Sequence, residues 1–88
     1  MEICKVIGHV WATKKESTLS GLKLMVVRRD TGAEDGVLVA ADIVGAGIGE
    51  RVLVVSGSTA RKAFGRDDIA VDAAIVGIID SVEAEGIN

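Results

Sequence analysis

Apolar and polar residues alternate along the first segment of the chain, from Glu2 to Thr13. Successive side chains of a strand point to opposite faces, so this pattern predicts a first strand. A glycine in mid-strand, Gly8, predicts a β-bulge of the kind that small barrels use to close. One face is small and apolar and suits a tight interior, whereas the other is mixed: the first is Cys4, Val6, Gly8, Val10 and Ala12, and the second is Ile3, Lys5, Ile7, His9 and Trp11. Because the mixed face still holds Ile7 and Trp11, we expect it to be sandwiched or to lie in an interface.

Short runs rich in β-branched residues predict four more strands. Glycine and acidic residues from Thr31 to Gly36 predict a hairpin turn between the second and third strands. Ser58 is predicted to cap one helical turn, Thr59 to Ala63, before the last strand. The predicted strands are Leu22 to Arg29, Val37 to Ile43, Arg51 to Val55 and Asp72 to Val82. Five strands and one short helix indicate an all-β fold, a small five-stranded barrel of the oligonucleotide/oligosaccharide-binding (OB) type. A sandwich of five short strands is the alternative that the pattern leaves open.

Three glycines at alternate positions mark the turn between the third and fourth strands. The turn consists of Gly45, Ala46, Gly47, Ile48, Gly49 and Glu50. It does not fit the dinucleotide fingerprint, because its third glycine comes one residue early and a strand rather than a helix follows. Glycine permits φ > 0 and a close approach of another backbone. The turn is therefore either purely structural or lies at a subunit contact or ring axis.

Gly47 is the glycine for which we predict a special environment. Gly45 and Gly49 border strands and can serve as ordinary strand ends, whereas Gly47 lies inside the turn. We expect Gly47 either to need φ > 0 or to lie where copies of the chain crowd together. Asp42 and Asp80, which each end an apolar strand, are predicted to bind turn amides or to pair with arginines in an assembly.

The composition predicts self-association. A domain of 88 residues buries only roughly 60–65% of its unfolded surface, yet 49% of the residues are hydrophobic and the mean hydropathy is +0.42. No apolar run approaches the roughly 20 residues of a membrane span, and the N-terminus lacks a signal-peptide pattern. One cysteine, Cys4, cannot form an internal disulfide, which is typical of a reducing cytoplasm. We therefore expect a single domain, residues 1–88, in the cytoplasm and without a membrane partner.

Charge and aromatic content argue against several other functions. The net charge is −3 and the aromatic residues are Trp11 and Phe64 alone, which disfavours a nucleic-acid partner. His9 is the single histidine, and His9 and Cys4 alone are too few ligands for a metal site. We therefore predict that His9 is packed against other residues or lies in an interface. Neither Ser56 nor Ser58 lies in a nucleophile elbow. We expect no enzyme, no cofactor and no metal.

Three segments resemble the bacterial microcompartment vertex proteins, which include the ethanolamine-utilisation and carboxysome pentamers (the EutN/CcmL family). The segments are Asp42 to Arg61, Val6 to Lys15 continuing at Leu19 to Leu24, and Asp72 to Asp80. Together they cover most of residues 2–82 in the family's order. The sequence departs mildly from the family at Thr59, where serine is usual.

The resemblance implies a small barrel that assembles as a homo-pentamer and caps the vertices of a shell built with hexameric shell proteins. It favours a place for the central turn, Gly45 to Glu50, at the ring axis. Ile7, His9 and Trp11 are then expected at the subunit interface, and Ser58, Thr59 and Arg61 as shell contacts. The basic cluster of Arg61, Lys62 and Arg66 is either a solvated helix face or meets acidic edges of neighbouring shell proteins.

Two other functions stay open at this point. A barrel that binds a small anion or metabolite would use the amides of the glycine turn as a nest, with Arg61 as the counter-charge. A single-strand nucleic-acid binder would use the barrel face, but the charge and the few aromatic residues disfavour it.

Overall fold

Five strands close into a barrel in the computed structural model, which describes residues 1–30 and 36–85. Around the barrel the strands follow the order β1-β2-β3-β5-β4. Their bounds are β1 Glu2–Val10, β2 Lys23–Arg29, β3 Val37–Asp42, β4 Arg51–Ser56 and β5 Ala73–Ile78. A 3-10 turn, Ser17–Leu19, precedes β2, and one helix, α1 (Ser58–Ala63), precedes β5. The predicted five-stranded barrel with one short helix is confirmed, and the sandwich alternative is wrong.

The barrel is closed by one short parallel contact. The pairs β1–β2, β1–β4, β2–β3 and β4–β5 are antiparallel. By contrast β3 and β5 run parallel and pair only at Ala41 with Ala74 and at Asp42 with Ile75. The predicted hairpin turn lies mainly outside the described residues, but β2 and β3 pair antiparallel on either side of it, as the hairpin requires.

The predicted bulge in β1 is present. The register of β1 against β2 shifts between Val6 and Gly8. Two backbone hydrogen bonds tie Val6 to the end of the central turn: its N–H donates to the Glu50 oxygen at 2.9 Å, and its oxygen accepts from Gly49 N–H at 2.8 Å. The bulge therefore lies where β1 meets the central turn.

The interior is filled by small and medium apolar side chains. The largest fully buried ones are Met25, Ile75, Val6, Val27, Val52, Val54 and Cys4. Of the small face predicted for β1, Cys4 and Val6 are fully buried, whereas Gly8, Val10 and Ala12 are only half-buried. Burial, and then the charge of Glu2, raises the pKa of the Cys4 thiol, so the thiol stays neutral inside the barrel.

The helix begins differently from the prediction. Gly57, not Ser58, is the N-cap of α1, and no side chain caps the helix. The φ of Gly57 is 66°, and its N–H donates to the Asp72 oxygen at 2.7 Å. A residue with positive φ is needed here, which favours glycine over a capping serine. The predicted Ser58 cap is therefore wrong, and Ser58 is the first helical residue. The described helices include none that is long and apolar enough to cross a membrane.

Candidate functional site

A buried carboxylate holds the first half of the central turn. The Asp42 side chain is 0% exposed, and its two oxygens accept the N–H groups of Val44 at 3.0 Å and Ala46 at 2.8 Å. Lys23 Nζ lies 3.3 Å from Asp42 Oδ2 and donates to the Ala46 oxygen at 2.7 Å. Asp42 therefore binds turn amides, as predicted, and Lys23 supplies the balancing charge.

A second carboxylate holds the other half of the turn. Glu50 Oε1 accepts the N–H of Gly47 at 2.7 Å, and the Glu50 N–H donates to the Gly47 oxygen at 3.2 Å. These reciprocal bonds close the loop around Ile48, whose side chain is 68% exposed. The turn is thus fixed by its own chain and presents an apolar side chain outward.

The positive φ angles of the turn occur at its outer glycines. Gly45 and Gly49 have φ values of +80° and +95°, whereas Gly47 has no positive φ. The expectation that Gly45 and Gly49 are ordinary strand ends is wrong, and so is the positive-φ interpretation of Gly47. Asp42 binds the amides on both sides of Gly45, and the Gly49 N–H donates to the Val6 oxygen at 2.8 Å, so these contacts fix the two outer glycines in their conformations. A Cβ on Gly47 would lie 3.4 Å from Glu50 Oε1, and crowding by other copies stays a prediction.

The same contacts weaken the anion-nest interpretation. The amides of Val44, Ala46 and Gly47 already bind carboxylates of the chain itself. The proposed counter-charge, Arg61, donates from Nη1 to the Val71 oxygen at 3.3 Å. An anion that used these three amides would have to displace Asp42 or Glu50.

The outer face of β1 ends near a stacked pair of rings, one exposed and one half-buried. Trp11 is 84% exposed and Ile7 is also exposed, whereas His9 is half-buried. The rings of His9 and Trp11 stack with centroids 4.0 Å apart and an angle of 5° between their planes. The structure thus brings two of the three predicted interface residues into contact. No cluster of metal-ligating side chains occurs among the residues that the structure describes.

Residues 1–80 match the family described as ethanolamine utilisation protein EutN/carboxysome. The chain belongs to this family. It is 49% identical over 86 residues to the bacterial microcompartment shell vertex protein GrpN of Rhodospirillum rubrum, covering 94% of this chain and 97% of that protein. It is 47% identical over 85 residues to the carboxysome shell vertex protein CcmL of Synechocystis, covering 93% of this chain and 85% of that protein.

Solved structures of family members share the fold. The GrpN pentameric microcompartment shell protein of R. rubrum matches with a TM-score of 0.84 and 46% identity, covering 96% of this chain and 99% of that chain. The Nostoc CcmL structure matches with a TM-score of 0.86 and 43% identity, covering 93% of this chain and 92% of that chain. The EutN/CcmL resemblance seen in the sequence is thus confirmed.

Two of the three cations of the predicted basic cluster, Arg61 and Arg66, have partners within the chain. Arg61 is bound to Val71 as described above, and Arg66 Nε lies 3.0 Å from Asp68 Oδ1. The hydrogen bond from Arg66 lowers the pKa of Asp68. Ser58 and Thr59 are exposed on the first turn of α1, and Lys62 is exposed beyond them. The surface of α1 therefore offers the hydroxyl groups of Ser58 and Thr59 together with Lys62, whereas Arg61 and Arg66 also bind groups of their own chain.

Sequence reasoning missed an apolar stripe on the outside of β3. Val37 and Val39 are both exposed, although they belong to an apolar strand. Val39 lies opposite Val26 of β2 in the ladder. The signal was available, because Val37 and Val39 occupy alternate positions, but an all-apolar run does not reveal which face is inside.

Proposed function

We propose that this chain is a structural protein of a bacterial microcompartment shell, in which five copies form a ring that caps a vertex. The observation that carries this proposal is the match over almost the whole of both chains to the pentameric GrpN shell protein. Its relatives GrpN and CcmL carry the name of shell vertex protein. The proposed place of action is the shell of a microcompartment in the cytoplasm.

The function is geometric rather than catalytic in this proposal. A five-fold unit among six-fold units lets a flat protein layer curve and close. Rings of identical chains arise when a head-to-tail contact closes on itself. The exposed apolar side chains of a single chain, including Trp11 and Ile48, support such a contact because large exposed apolar surface usually marks an interface.

Each candidate surface then has a proposed neighbour. The central turn, Gly45 to Glu50, faces the ring axis, where copies of Gly47 and Ile48 meet. Ile7, His9 and Trp11 lie at the boundary between two copies. Ser58, Thr59 and Arg61, at the start of α1, face hexameric shell proteins. The exposure of Ser58 and Thr59 supports that role, whereas Arg61 is partly occupied by its bond to Val71.

Shell closure is the experiment that tests this function. The hexameric shell proteins of one microcompartment are expressed with and without this chain, and the products are examined by electron microscopy. We expect closed polyhedra only when the chain is present, with open sheets or tubes otherwise. Polyhedra that close equally well without the chain would contradict the proposal.

A further inference from the structure

Three cations lie side by side on the outer face of the barrel. Lys5 of β1 is opposite Arg28 of β2 in one ladder and opposite Arg51 of β4 in the other. Side chains directly opposite each other share a face, with Cβ atoms about 5 Å apart. Cys4 and Val6, which flank Lys5, are fully buried, so Lys5 points outward. We call Lys5, Arg28 and Arg51 the cationic row.

The cationic row has fewer partners than charges. Asp30 Oδ2 lies 2.9 Å from Arg51 Nη2. Within residues 1–30 and 36–85, neither Lys5 nor Arg28 has a salt-bridge partner, and both are exposed. Like charges directly opposite each other on a sheet are destabilising. An acidic partner from outside the chain would remove that cost.

The opposite charge is concentrated near the C-terminus. Residues 80–88 contain Asp80, Glu83 and Glu85 but no Lys or Arg. All three carboxylates are exposed. Ile79 N–H donates to the Arg51 oxygen at 2.8 Å, so this stretch leaves the barrel beside one end of the cationic row. We call residues 80–85 the acidic segment; in the described part of the chain no salt bridge joins it to the row.

We propose that the acidic segment of one copy lies on the cationic row of the next copy in the ring. This inference rests on the proposed function, because a head-to-tail ring joins two different patches of the same chain. Opposite charges on those two patches fix the direction and register of the contact. Apolar side chains accompany both patches: Val37 is opposite Arg28, and Ile78 precedes the acidic segment; both are exposed.

Charge reversal on either patch tests the contact. In the double variant Lys5→Glu/Arg28→Glu, the row repels the acidic segment, and we expect ring dissociation at a concentration at least about tenfold higher. The double variant Glu83→Lys/Glu85→Lys should show the same change. The matched control is Lys62→Glu/Arg66→Glu, which alters the net charge as much as the row variant but lies on and after α1. We expect its ring to dissociate at the wild-type concentration.

Mixing the two reversed chains separates a contact between copies from one within a chain. In the mixture, the reversed row, now acidic, of the first variant can bind the reversed segment, now basic, of the second. The unchanged acidic segment of the first variant can likewise bind the unchanged cationic row of the second. We therefore expect the mixture to recover most of the ring stability, since all but one contact of an odd-numbered ring can be matched. If instead the row binds the acidic segment of its own chain, mixing the two variants would not restore ring stability. Stability would then return only in a single chain that carries both charge reversals.

The outcomes also distinguish this inference from the proposed function. If the unmodified chain forms no five-membered ring, the proposed function fails and the contact fails with it. If the ring forms but the row variant dissociates like the control, or mixing brings no recovery, only the contact between row and segment is wrong.

Discussion

The central turn and the outer surface of the barrel differ in where their polar groups find partners. In the turn, Asp42 and Glu50 accept three backbone amides, and Lys23 balances the buried charge. On the outer surface, Trp11 is largely exposed and Lys5 has no salt-bridge partner in the part of the chain that the structure describes. The turn is complete in one chain, whereas the outer surface is suited to contact with another.

This difference separates two kinds of substitution. Changes in the carboxylates and outer glycines of the turn should lower the free energy of unfolding of each chain. Changes on the outer surface should leave the chain folded and weaken the ring. Gly47 and Ile48 belong to both regions. The turn fixes their backbone within one chain, whereas in the proposed ring their outward side contacts other copies.

The largest effect on the single chain is expected for Asp42→Ala. The substitution removes two charge-assisted hydrogen bonds and leaves the amide of Ala46 partly buried without a partner. We expect a loss of about 3 kcal/mol in the free energy of unfolding. Urea unfolding followed by circular dichroism measures it, with Asp67→Ala, an exposed aspartate, as the control. A loss below about 1 kcal/mol would show that the turn does not depend on this carboxylate.

The corresponding change on the outer surface is Trp11→Ala. Because Trp11 is 84% exposed in one chain, removal of its side chain should hardly change the stability of the single chain. At a subunit boundary the same removal should weaken ring assembly by about 2 kcal/mol or more. The concentration dependence of the native mass measures this loss, and the wild-type tryptophan emission should shift to the red when the ring dissociates. Unchanged assembly would contradict a place for Trp11 at the subunit boundary.

Smaller effects are expected from two glycines of the same turn. Gly49→Ala should cost about 1 kcal/mol or more of chain stability, because its φ of +95° disfavours any L side chain. Gly47→Ala should leave chain stability nearly unchanged, since φ is not positive and its nearest contact is the end of the Glu50 side chain at 3.4 Å. Gly47→Val should then disturb the ring more than the chain. Thermal melting and native mass compare the three variants; rings of unchanged mass and stability for Gly47→Val would contradict crowding at the axis.

Local patterns were sufficient to predict the elements of the barrel. The alternation in the first segment predicted β1, its buried positions Cys4 and Val6, and the bulge at Gly8. The apolar runs predicted the other four strands within a few residues. These features depend on side-chain periodicity, which is encoded within each segment.

The remaining features depend on contacts between distant segments. Gly49, for example, has a positive φ where its N–H donates to the Val6 oxygen of β1. Gly57, the cap of α1, has a positive φ, and its amide binds the Asp72 oxygen, fifteen residues away in the chain. The cationic row appears only when the register of three strands is known. No periodicity in a single segment reports such pairings.

The native mass of the assembly tests the central claim most directly. Native mass spectrometry of the unmodified chain should give about five times the 9.1 kDa of one chain. That mass should persist on dilution to micromolar concentration, because the contacts of a closed ring break together. A stable monomer at micromolar concentration would contradict the account, and a six-membered ring would require a different place in the shell.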